Sequence, residues 1–245
     1  MSAHPAEAVA TWLWKSTEDI RQIVEFATAR NLREVYLAIP LDGVDDRAAA
    51  LGAALRANGI AVSCLGGDPL WTIDHDAALN WAFRATTDAV FDGVHLDVEP
   101  WALPGWPQDA SKLMASYASL IEEVAEVAQL AVDLAPWLVR DHREIIGRIV
   151  RQCDSVTVLV YRNTAADILA AAREMLQLCE SQERRCRIGV ETQPPSSAIP
   201  SNTTFGGDGE AAMDRELAEV ARRLEPRLFG GFAVHHLDSW RTMRP

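Results

Sequence analysis

Polar and apolar side chains alternate within residues 91–101. His95, Asp97 and Glu99 are separated from one another by single apolar residues. Side chains on a β-strand point alternately to its two faces, so these three groups are expected to share one face. Burying carboxylates costs several kcal/mol unless they are paired, so packing alone rarely accounts for them. The segment therefore predicts a functional acidic site, with a structural ion-pair network as the alternative.

Eight short segments rich in β-formers alternate with longer segments whose apolar residues recur at helical spacing. Strands are predicted at 9–15, 33–40, 60–66, 91–99, 129–135, 154–161, 186–191 and 229–236. Helices are predicted near 17–30, 45–58, 74–87, 108–128, 141–152, 164–182 and 209–225. The candidate helix caps are Ser16 or Thr17, Asp45, Asp109 and, at the end of the second helix, Asn58-Gly59.

The strand-to-strand repeat averages about 31 residues, the size of one βα unit. Eight such units in 245 residues predict an α/β fold in which one (β/α)8 TIM barrel spans 1–245 as a single domain. An open doubly wound sheet is the alternative, but no GxGxxG motif follows the first strand. Active sites of such barrels lie at the carboxyl ends of the strands, where the long irregular loop 192–208 is also expected.

Four short segments on the third to eighth predicted strands form a combination of motifs. On the fourth strand Asp92-Gly93 is followed by Asp97 and Glu99, with His95 between them. The other segments are Cys64-Leu65-Gly66-Gly67, Leu159-Val160-Tyr161, and Gly230-Gly231 through to Asp238. They resemble, respectively, the DGxDxDxE, SxGG, MxY and GGxMxWxxD motifs of the family 18 glycoside hydrolases, the chitinase-like barrels.

The resemblance implies retaining hydrolysis of β-N-acetylglucosaminides without an enzyme nucleophile. Glu99 would protonate the leaving oxygen. Asp97 would orient the substrate's acetamido group, whose carbonyl oxygen attacks the anomeric carbon, and Tyr161 would hydrogen-bond to that group. The carboxylate of Asp97 would also raise the pKa of Glu99, as a general acid needs at neutral pH. The further residues expected around the substrate are Asp92, His95, Arg162, His235, Asp238, Trp12, Trp14 and Trp101.

Two histidines depart from the family pattern. His95 replaces the middle aspartate, so any proton sharing with Asp97 would involve an imidazole. His235 stands where the family has the tryptophan beneath the sugar, so a pyranose would lose its main stacking surface. A small soluble carbohydrate is therefore favoured over chitin. The tryptophans that could rebuild a sugar platform from predicted strand ends are Trp12, Trp14, Trp101, Trp106 and Trp137.

Three other functions stay open. Glu191 ends the seventh predicted strand, so it could be the nucleophile of a two-carboxylate retaining glycosidase in which Glu99 is the acid/base. A salt bridge from Glu191 to Arg162 is the structural alternative. The second possibility is a catalytically inactive, carbohydrate-binding barrel. The third is a metal enzyme, whose ligands would be His95, Asp97 or Glu99 with Glu191, His235, His236 or Asp238.

Composition limits the partners and the compartment. The 35 acidic and 23 basic residues give a net charge of −12, which disfavours nucleic acid and anionic membranes as partners. The chain has neither a basic segment followed by an apolar leader nor an apolar run of about 18 residues. The four cysteines lie far apart in mostly apolar segments, so they are predicted to be buried and reduced. These features predict a cytoplasmic protein without a cofactor and leave the oligomeric state open.

Overall fold

The computed structural model describes residues 8–15, 19–87, 90–224 and 229–245. In these residues eight parallel strands form a closed barrel, in which each strand pairs with the next and the last pairs with the first. The strands are β1 (Ala8–Leu13), β2 (Glu34–Ala38), β3 (Ala61–Gly66), β4 (Gly93–Leu96), β5 (Leu130–Leu134), β6 (Ser155–Leu159), β7 (Arg185–Glu191) and β8 (Phe229–His235). The predicted (β/α)8 barrel and its eight strands are confirmed.

Helices follow the strands along the chain. They are α1 (Ile20–Ala29), α2 (Asp46–Ala57), α3 (His75–Thr86), α4 (Trp106–Ala125), α5 (Leu138–Asp141), α6 (Arg143–Gln152), α7 (Ala165–Ser181), α8 (Glu210–Arg223) and α9 (Leu237–Arg241). The seven predicted helices are all present. The helices α5 and α9 were not predicted, because four and five residues are too few to show a helical period.

Capping chemistry explains some of the helix ends. The side chain of Asp45 accepts a hydrogen bond of 2.7 Å from a backbone N–H in the first turn of α2, and Asn58-Gly59 ends that helix, as predicted. The prediction that Asp109 begins α4 was wrong. That helix begins at Trp106, where a proline in the first turn suits the helix start, and Asp109 lies inside it at a kink. Ser16 and Thr17 lie outside the described residues.

The fourth strand is shorter than predicted. It ends at Leu96, and only the N–H of Asp97, which donates to the carbonyl of Gly66 at 2.9 Å, continues its ladder towards β3. Pro100 has no N–H to donate, and it opens a 3₁₀ turn instead. Asp97 and Glu99 therefore lie in the connection that follows β4, at the carboxyl end of the barrel, and not on the strand itself.

Two separate clusters of apolar side chains divide the barrel interior from the layer under the helices. Val94 and Leu96 belong to the outer cluster, whereas His95 between them is fully buried and contacts the inner one. The alternation predicted for this segment is thus confirmed within the strand. The inner cluster consists of Val9, Ala10, Trp12, Tyr36, Leu65, Leu159 and Ala233. Because these side chains fill the interior, a ligand site is expected at a rim of the barrel.

The four cysteines are buried and form no disulfide, as predicted. In the described parts of the chain no helix combines the length and the apolarity needed to cross a membrane.

Candidate active site

A cavity of about 490 Å³ opens at the carboxyl ends of β4 to β7. The acidic and phenolic groups that line it are Glu99, Tyr161 and Glu191, and two of its aromatic residues are Trp101 and Trp137. The residues of loop 192–208 that form its opposite wall are Gln193, Ala198, Ile199, Pro200 and Thr203. A mostly apolar cavity of this size with a few convergent polar groups is typical of a small-molecule site.

Hydrogen bonds within loop 192–208 fix this wall. The hydroxyl of Thr204 donates to the carbonyl of Gln193 at 2.6 Å, and the N–H of Phe205 donates to the last carbonyl of β7 at 2.9 Å. The Phe205 side chain is fully buried. A Cβ at Gly206 would lie 2.3 Å from the carbonyl oxygen of Gln193, so only glycine fits there. The loop is therefore part of the packed structure and not a loose surface excursion.

Glu99 lies directly after β4 and faces the cavity. Its side chain is half-buried and makes no hydrogen bond within the described residues. Burial raises the pKa of Glu99, and the nearby His235 opposes that rise only in part. Glu99 therefore keeps its proton to a higher pH than an ordinary glutamate, and it can donate that proton into the cavity.

Asp97 is held close to the end of β3. A Cβ at Gly67 would lie 2.4 Å from the Asp97 carbonyl oxygen, so the glycine after β3 is what lets the two chain segments approach. The Oδ1 atom of Asp97 is buried and has no hydrogen-bond partner among the described residues. Burial raises the pKa of Asp97 well above its usual value, and the carboxyl groups of Asp133 and Glu99 raise it further.

Asp133 on β5 is a fully buried acid that the sequence motifs did not identify. Its Oδ2 accepts a hydrogen bond of 2.8 Å from the indole N–H of Trp12. Its Oδ1 lies 2.8 Å from Nε2 of His95, at an angle unsuited to a hydrogen bond. Burial raises the pKa of Asp133 well above its usual value, and the Trp12 hydrogen bond offsets that only in part. One signal could have identified this residue: it is the single acidic side chain in an apolar strand.

His95 is a neutral imidazole inside the barrel. Its ring stacks on that of Tyr36 with the centroids 3.7 Å apart. Burial lowers the pKa of His95 to about 3; Glu34 opposes this shift and Arg187 adds to it. An imidazole with such a pKa does not take up a proton near pH 7, so His95 does not supply the charge of the aspartate that the family pattern has at this position.

Tyr161 follows β6 and lines the cavity. Burial raises the pKa of its phenol well above the usual value, and the surrounding carboxyl groups, first Asp97 and then Glu191, raise it further. The hydroxyl therefore keeps its proton at neutral pH and is available as a hydrogen-bond donor. Its ring centroid lies 5.9 Å from that of His235.

Glu191 ends β7 and is held by several donors. Its Oε1 accepts hydrogen bonds of 2.8 Å from the backbone N–H groups of Thr192 and Gln193. Its Oε2 accepts one from Nδ1 of His235 at 2.9 Å. Burial raises the pKa of Glu191, but the His235 contact and the two backbone donors outweigh it, so the net shift is downward. Glu191 is consequently an ionised carboxylate whose oxygens are already engaged.

The imidazole of His235 connects Glu191 to the end of β1. The indole N–H of Trp14 donates to Nε2 of His235 at 2.9 Å. An indole nitrogen can only donate a hydrogen bond, so Nε2 of His235 is the acceptor. The imidazole proton is therefore on Nδ1, which donates the hydrogen bond to Glu191. The predicted alternative, a salt bridge from Glu191 to Arg162, does not form. Arg162 lines the cavity and donates to the carbonyl of Tyr161 at 2.6 Å.

The five tryptophans near the strand ends take different positions. Trp12 is fully buried inside the barrel, and Trp14 lies at the end of β1. Trp101 and Trp137 line the cavity with their ring centroids 5.6 Å apart, and Trp106 packs edge-on against Trp137. The aromatic surface open to a ligand is therefore on the β4–β5 side of the site.

Asp92 and Asp238 lie away from this group, and the predicted site residues His95, Trp12 and Trp14 do not line the cavity either. Asp92 lies at the amino end of β4, on the opposite side of the barrel, where its Oδ2 accepts a hydrogen bond of 2.9 Å from the N–H of Val62. Asp238 lies in the first turn of α9 and does not line the cavity. The structure thus brings together Glu99, Tyr161 and Glu191 around the cavity, with Asp97 and His235 close to them.

The histidines and acids considered for metal binding are not arranged as a ligand set. Among the residues that the structure describes, no three His, Cys, Asp or Glu side chains are placed so that they could hold a metal ion.

Comparisons with known proteins identify the fold. No protein-family model matches the chain, and no curated protein matches it in sequence. Three solved structures are similar over most of the chain. An endo-β-N-acetylglucosaminidase from Cordyceps militaris has a TM-score of 0.61 at 14% identity, covering 97% of this chain and 83% of that one.

The second is the spore cortex-lytic enzyme SleL from Bacillus cereus, with a TM-score of 0.64 at 11% identity, covering 98% of this chain and 74% of that one. The third is a glycoside hydrolase family 18 N-acetylglucosaminidase from Paenibacillus barengoltzii, with a TM-score of 0.56 at 12% identity and 96% of both chains covered. At these identities a structural likeness establishes the fold. The chain therefore has a (β/α)8 barrel fold, which it shares with the family 18 N-acetylglucosaminidase described above.

Proposed function

We propose that this protein is a glycoside hydrolase that cleaves a small soluble glycoside, with Glu99 as the proton donor. The observation that carries the proposal is the state of the Glu99 carboxyl group. It is half-buried beside the cavity, free of protein hydrogen bonds, and has a raised pKa. A carboxyl group in that state can act as a general acid, because it keeps its proton to a higher pH than an ordinary glutamate, and the aromatic side chains of Trp101 and Trp137 supply apolar surface for a sugar ring beside it.

An N-acetylhexosaminide is the substrate class that the neighbouring groups support best. Glu99 would protonate the glycosidic oxygen as the bond to the anomeric carbon breaks. The carbonyl oxygen of the substrate's own acetamido group would form the new bond to that carbon. An oxygen of Asp97 would accept a hydrogen bond from the N–H of this group, and the phenol of Tyr161, which keeps its proton, would donate one to it. Water then opens the intermediate, with Glu99 as the base that takes its proton.

The hydrogen bonds of Glu191 argue against a nucleophilic role. Its Oε1 accepts two backbone hydrogen bonds and its Oε2 accepts one from His235. Donors in these positions lower the nucleophilicity of both oxygens, because they stabilise the charge that would attack. The substrate-assisted route is therefore favoured over the two-carboxylate route, in which Glu191 would bond to the sugar.

The proposal is tested by Glu99→Gln against wild type on aryl N-acetyl-β-glucosaminides and related aryl glycosides. The substitution removes the proton and keeps the shape, so kcat is expected to fall by about 10²–10⁴-fold. The exposed Glu126 at the end of α4 provides the matched control, and Glu126→Gln is expected to leave turnover unchanged. Equal turnover by wild type and Glu99→Gln would refute the assignment.

Two further measurements separate the remaining functions. A substrate-assisted enzyme turns over an N-acetyl sugar but not its 2-hydroxy analogue, whereas a Glu191 nucleophile would accept both. Sugar binding by wild type without any hydrolysis over a long incubation would identify an inactive carbohydrate-binding barrel instead.

A further inference from the structure

Asp97 directly follows the last residue of β4, and Asp133 lies on the neighbouring strand β5. In the ladder between these strands His95 lies beside Ala131 and Leu96 beside Val132. Continuing the register by one residue puts Asp97 beside Asp133. Adjacent strands lie about 4.8 Å apart, and residues in register on parallel strands point to the same side of the sheet. The extended register therefore predicts that both carboxyl groups point towards the barrel axis, and the carboxyl group of Asp133 is close enough to raise the pKa of Asp97.

Each of these two residues has a buried carboxyl oxygen without a hydrogen-bond partner among the described residues. These oxygens are Oδ1 of Asp97 and Oδ1 of Asp133. Buried carboxyl oxygens without partners are rare in folded proteins, because each costs about 1–3 kcal/mol. A proton held between the two groups would satisfy both oxygens at once.

The surroundings decide which residue carries that proton. Asp133 receives the indole N–H of Trp12 at 2.8 Å, and this hydrogen bond supports its charged form. The side chain of Asp97 receives no protein donor among the described residues, so it is the better place for the proton. Two carboxyl groups this close do not both ionise at neutral pH.

We infer that Asp97 and Asp133 share one proton across neighbouring strands, with Asp97 as the donor and Asp133 as its carboxylate partner. The role of this pair in turnover rests on the proposed glycosidase function. Asp133 is then a positioning residue that acts through Asp97. It supplies from β5 the second aspartate that β4 lacks, since His95 occupies that position. Only a proton is redistributed between the two carboxyl groups, and no other bond changes.

Other titratable or charged groups act on the pair from the elements around it. They are Glu99 after β4, Arg187 on β7, His235 on β8, His95 on β4, Tyr36 on β2, Tyr161 after β6 and Tyr117 on α4. A substitution of Asp133 leaves all of them in place. A change in the titration midpoint of Asp97 in such a variant therefore measures the interaction between Asp97 and Asp133.

The first test is a ¹³C-carboxyl NMR titration of wild type, Asp133→Asn and Asp97→Asn. Wild type is expected to lose protons from the pair in two coupled steps, with one proton retained far above the usual range of an aspartate. In Asp133→Asn the titration midpoint of Asp97 is expected to fall by about one pH unit or more. The matched control is Thr157→Val, because Thr157 is the β6 neighbour of Asp133 and is also buried; it is expected to leave both midpoints unchanged.

The second test is the pH dependence of kcat. Loss of Asp133 is expected to lower kcat by about 10-fold or more, with KM little changed, and to move the alkaline limb to lower pH because Asp97 loses its proton earlier. A residue needed only for packing would leave that limb where it is in wild type. Thr157→Val is again expected to match wild type.

The outcomes separate this inference from the proposed function. Coupled titrations in a protein that hydrolyses no glycoside would support the proton pair and refute the function. If wild type hydrolyses a glycoside but the titration midpoint of Asp97 is the same in wild type and in Asp133→Asn, the proton pair is refuted and the proposed function is retained. If Asp133→Asn does not fold, the reciprocal variant Asp97→Asn decides the matter: the high-pH step of the pair must disappear, and Asp133 must titrate in a single step whose midpoint does not fall below that of wild type.

Discussion

The β4–β5 side and the β7–β8 side of the barrel mouth hold carboxyl groups of opposite character. On the β4–β5 side, Asp97 and Glu99 have no protein hydrogen bond at the carboxyl oxygens described above, and their pKa values are raised. On the β7–β8 side, Glu191 accepts hydrogen bonds from two backbone N–H groups and from His235, and its pKa is lowered.

Burial alone does not explain this difference. Glu191 is more deeply buried than Glu99, yet it is Glu191 that ionises readily. The number of donors directed at each carboxyl group decides its charge, because hydrogen bonds to the ionised form offset the cost of desolvation. The barrel mouth therefore has carboxyl groups that keep their protons to higher pH on the β4–β5 side and an ionised carboxylate on the β7–β8 side.

The largest expected effect is the loss of stability in Glu191→Gln. A glutamine keeps one acceptor oxygen but turns an NH₂ group towards existing donors, so a buried and hydrogen-bonded ion is lost. The free energy of unfolding is expected to fall by about 3 kcal/mol at pH 7. Glu99→Gln is the matched comparison and is expected to change it by less than about 0.5 kcal/mol. Urea denaturation of both variants measures the difference, and a larger loss in Glu99→Gln would reverse the comparison.

The second prediction concerns pH. The folded pKa of Asp97 lies above its ordinary 3.8, so at higher pH the unfolded chain releases a proton that the folded chain keeps, and stability falls as the pH rises. The folded pKa of Glu191 lies below its ordinary 4.5, so its contribution is present above that pH and is lost as the pH falls through the folded value. Asp97 and Glu191 therefore make the free energy of unfolding change with pH in opposite directions.

Urea midpoints between about pH 4 and pH 8 test this contrast. Asp97→Asn is expected to be more stable than wild type at pH 7, on the order of 1 kcal/mol, and the gain is expected to shrink towards acid pH. Glu191→Gln is expected to lose the acid-side slope. Parallel curves for the two variants would show that the two groups do not differ in the way described.

The smallest expected effect comes from Trp14→Phe. It removes the N–H donated to Nε2 of His235 and keeps an aromatic ring, so the expected loss is about 1 kcal/mol. Trp106→Phe is the control, since the Trp106 indole contacts its neighbours through its ring. Nitrogen NMR of His235 gives the sharper measurement. A fixed Nδ1–H tautomer in wild type is expected to become a mixture in Trp14→Phe, and an unchanged spectrum would show that Trp14 does not select the tautomer.

Much of the fold could be predicted from the sequence because each βα unit carries its own local pattern. The strands and long helices were identified from apolar periodicity alone, but β4 was predicted to begin two residues too early and to end three residues too late. Its polar alternation continues to Glu99, whereas the ladder stops at Leu96, and alternation does not reveal where hydrogen bonding ends. The carboxyl group of Glu99 still lies at the predicted mouth, because a short extension past a strand leads there in any barrel.

The partners of the acidic groups could not be predicted in the same way. Asp133 belongs to no recognisable motif, and its contact with Trp12 joins residues 121 positions apart. The contact between Trp14 and His235 spans 221 positions. Contacts of this kind depend on which side chains meet once the barrel has closed, and a local pattern holds no information about that.

Trp12 and Trp14, two residues apart at the end of β1, each donate an indole N–H to a different side of the site. The consequence concerns the order of assembly. The acceptor of Trp14 lies on β8, the last strand, so its contact forms only when the two ends of the sheet join. Closing so long a loop costs conformational entropy, and this cost comes before the contact can stabilise the fold. The His235 tautomer is therefore set at barrel closure, after the rest of the sheet has been placed.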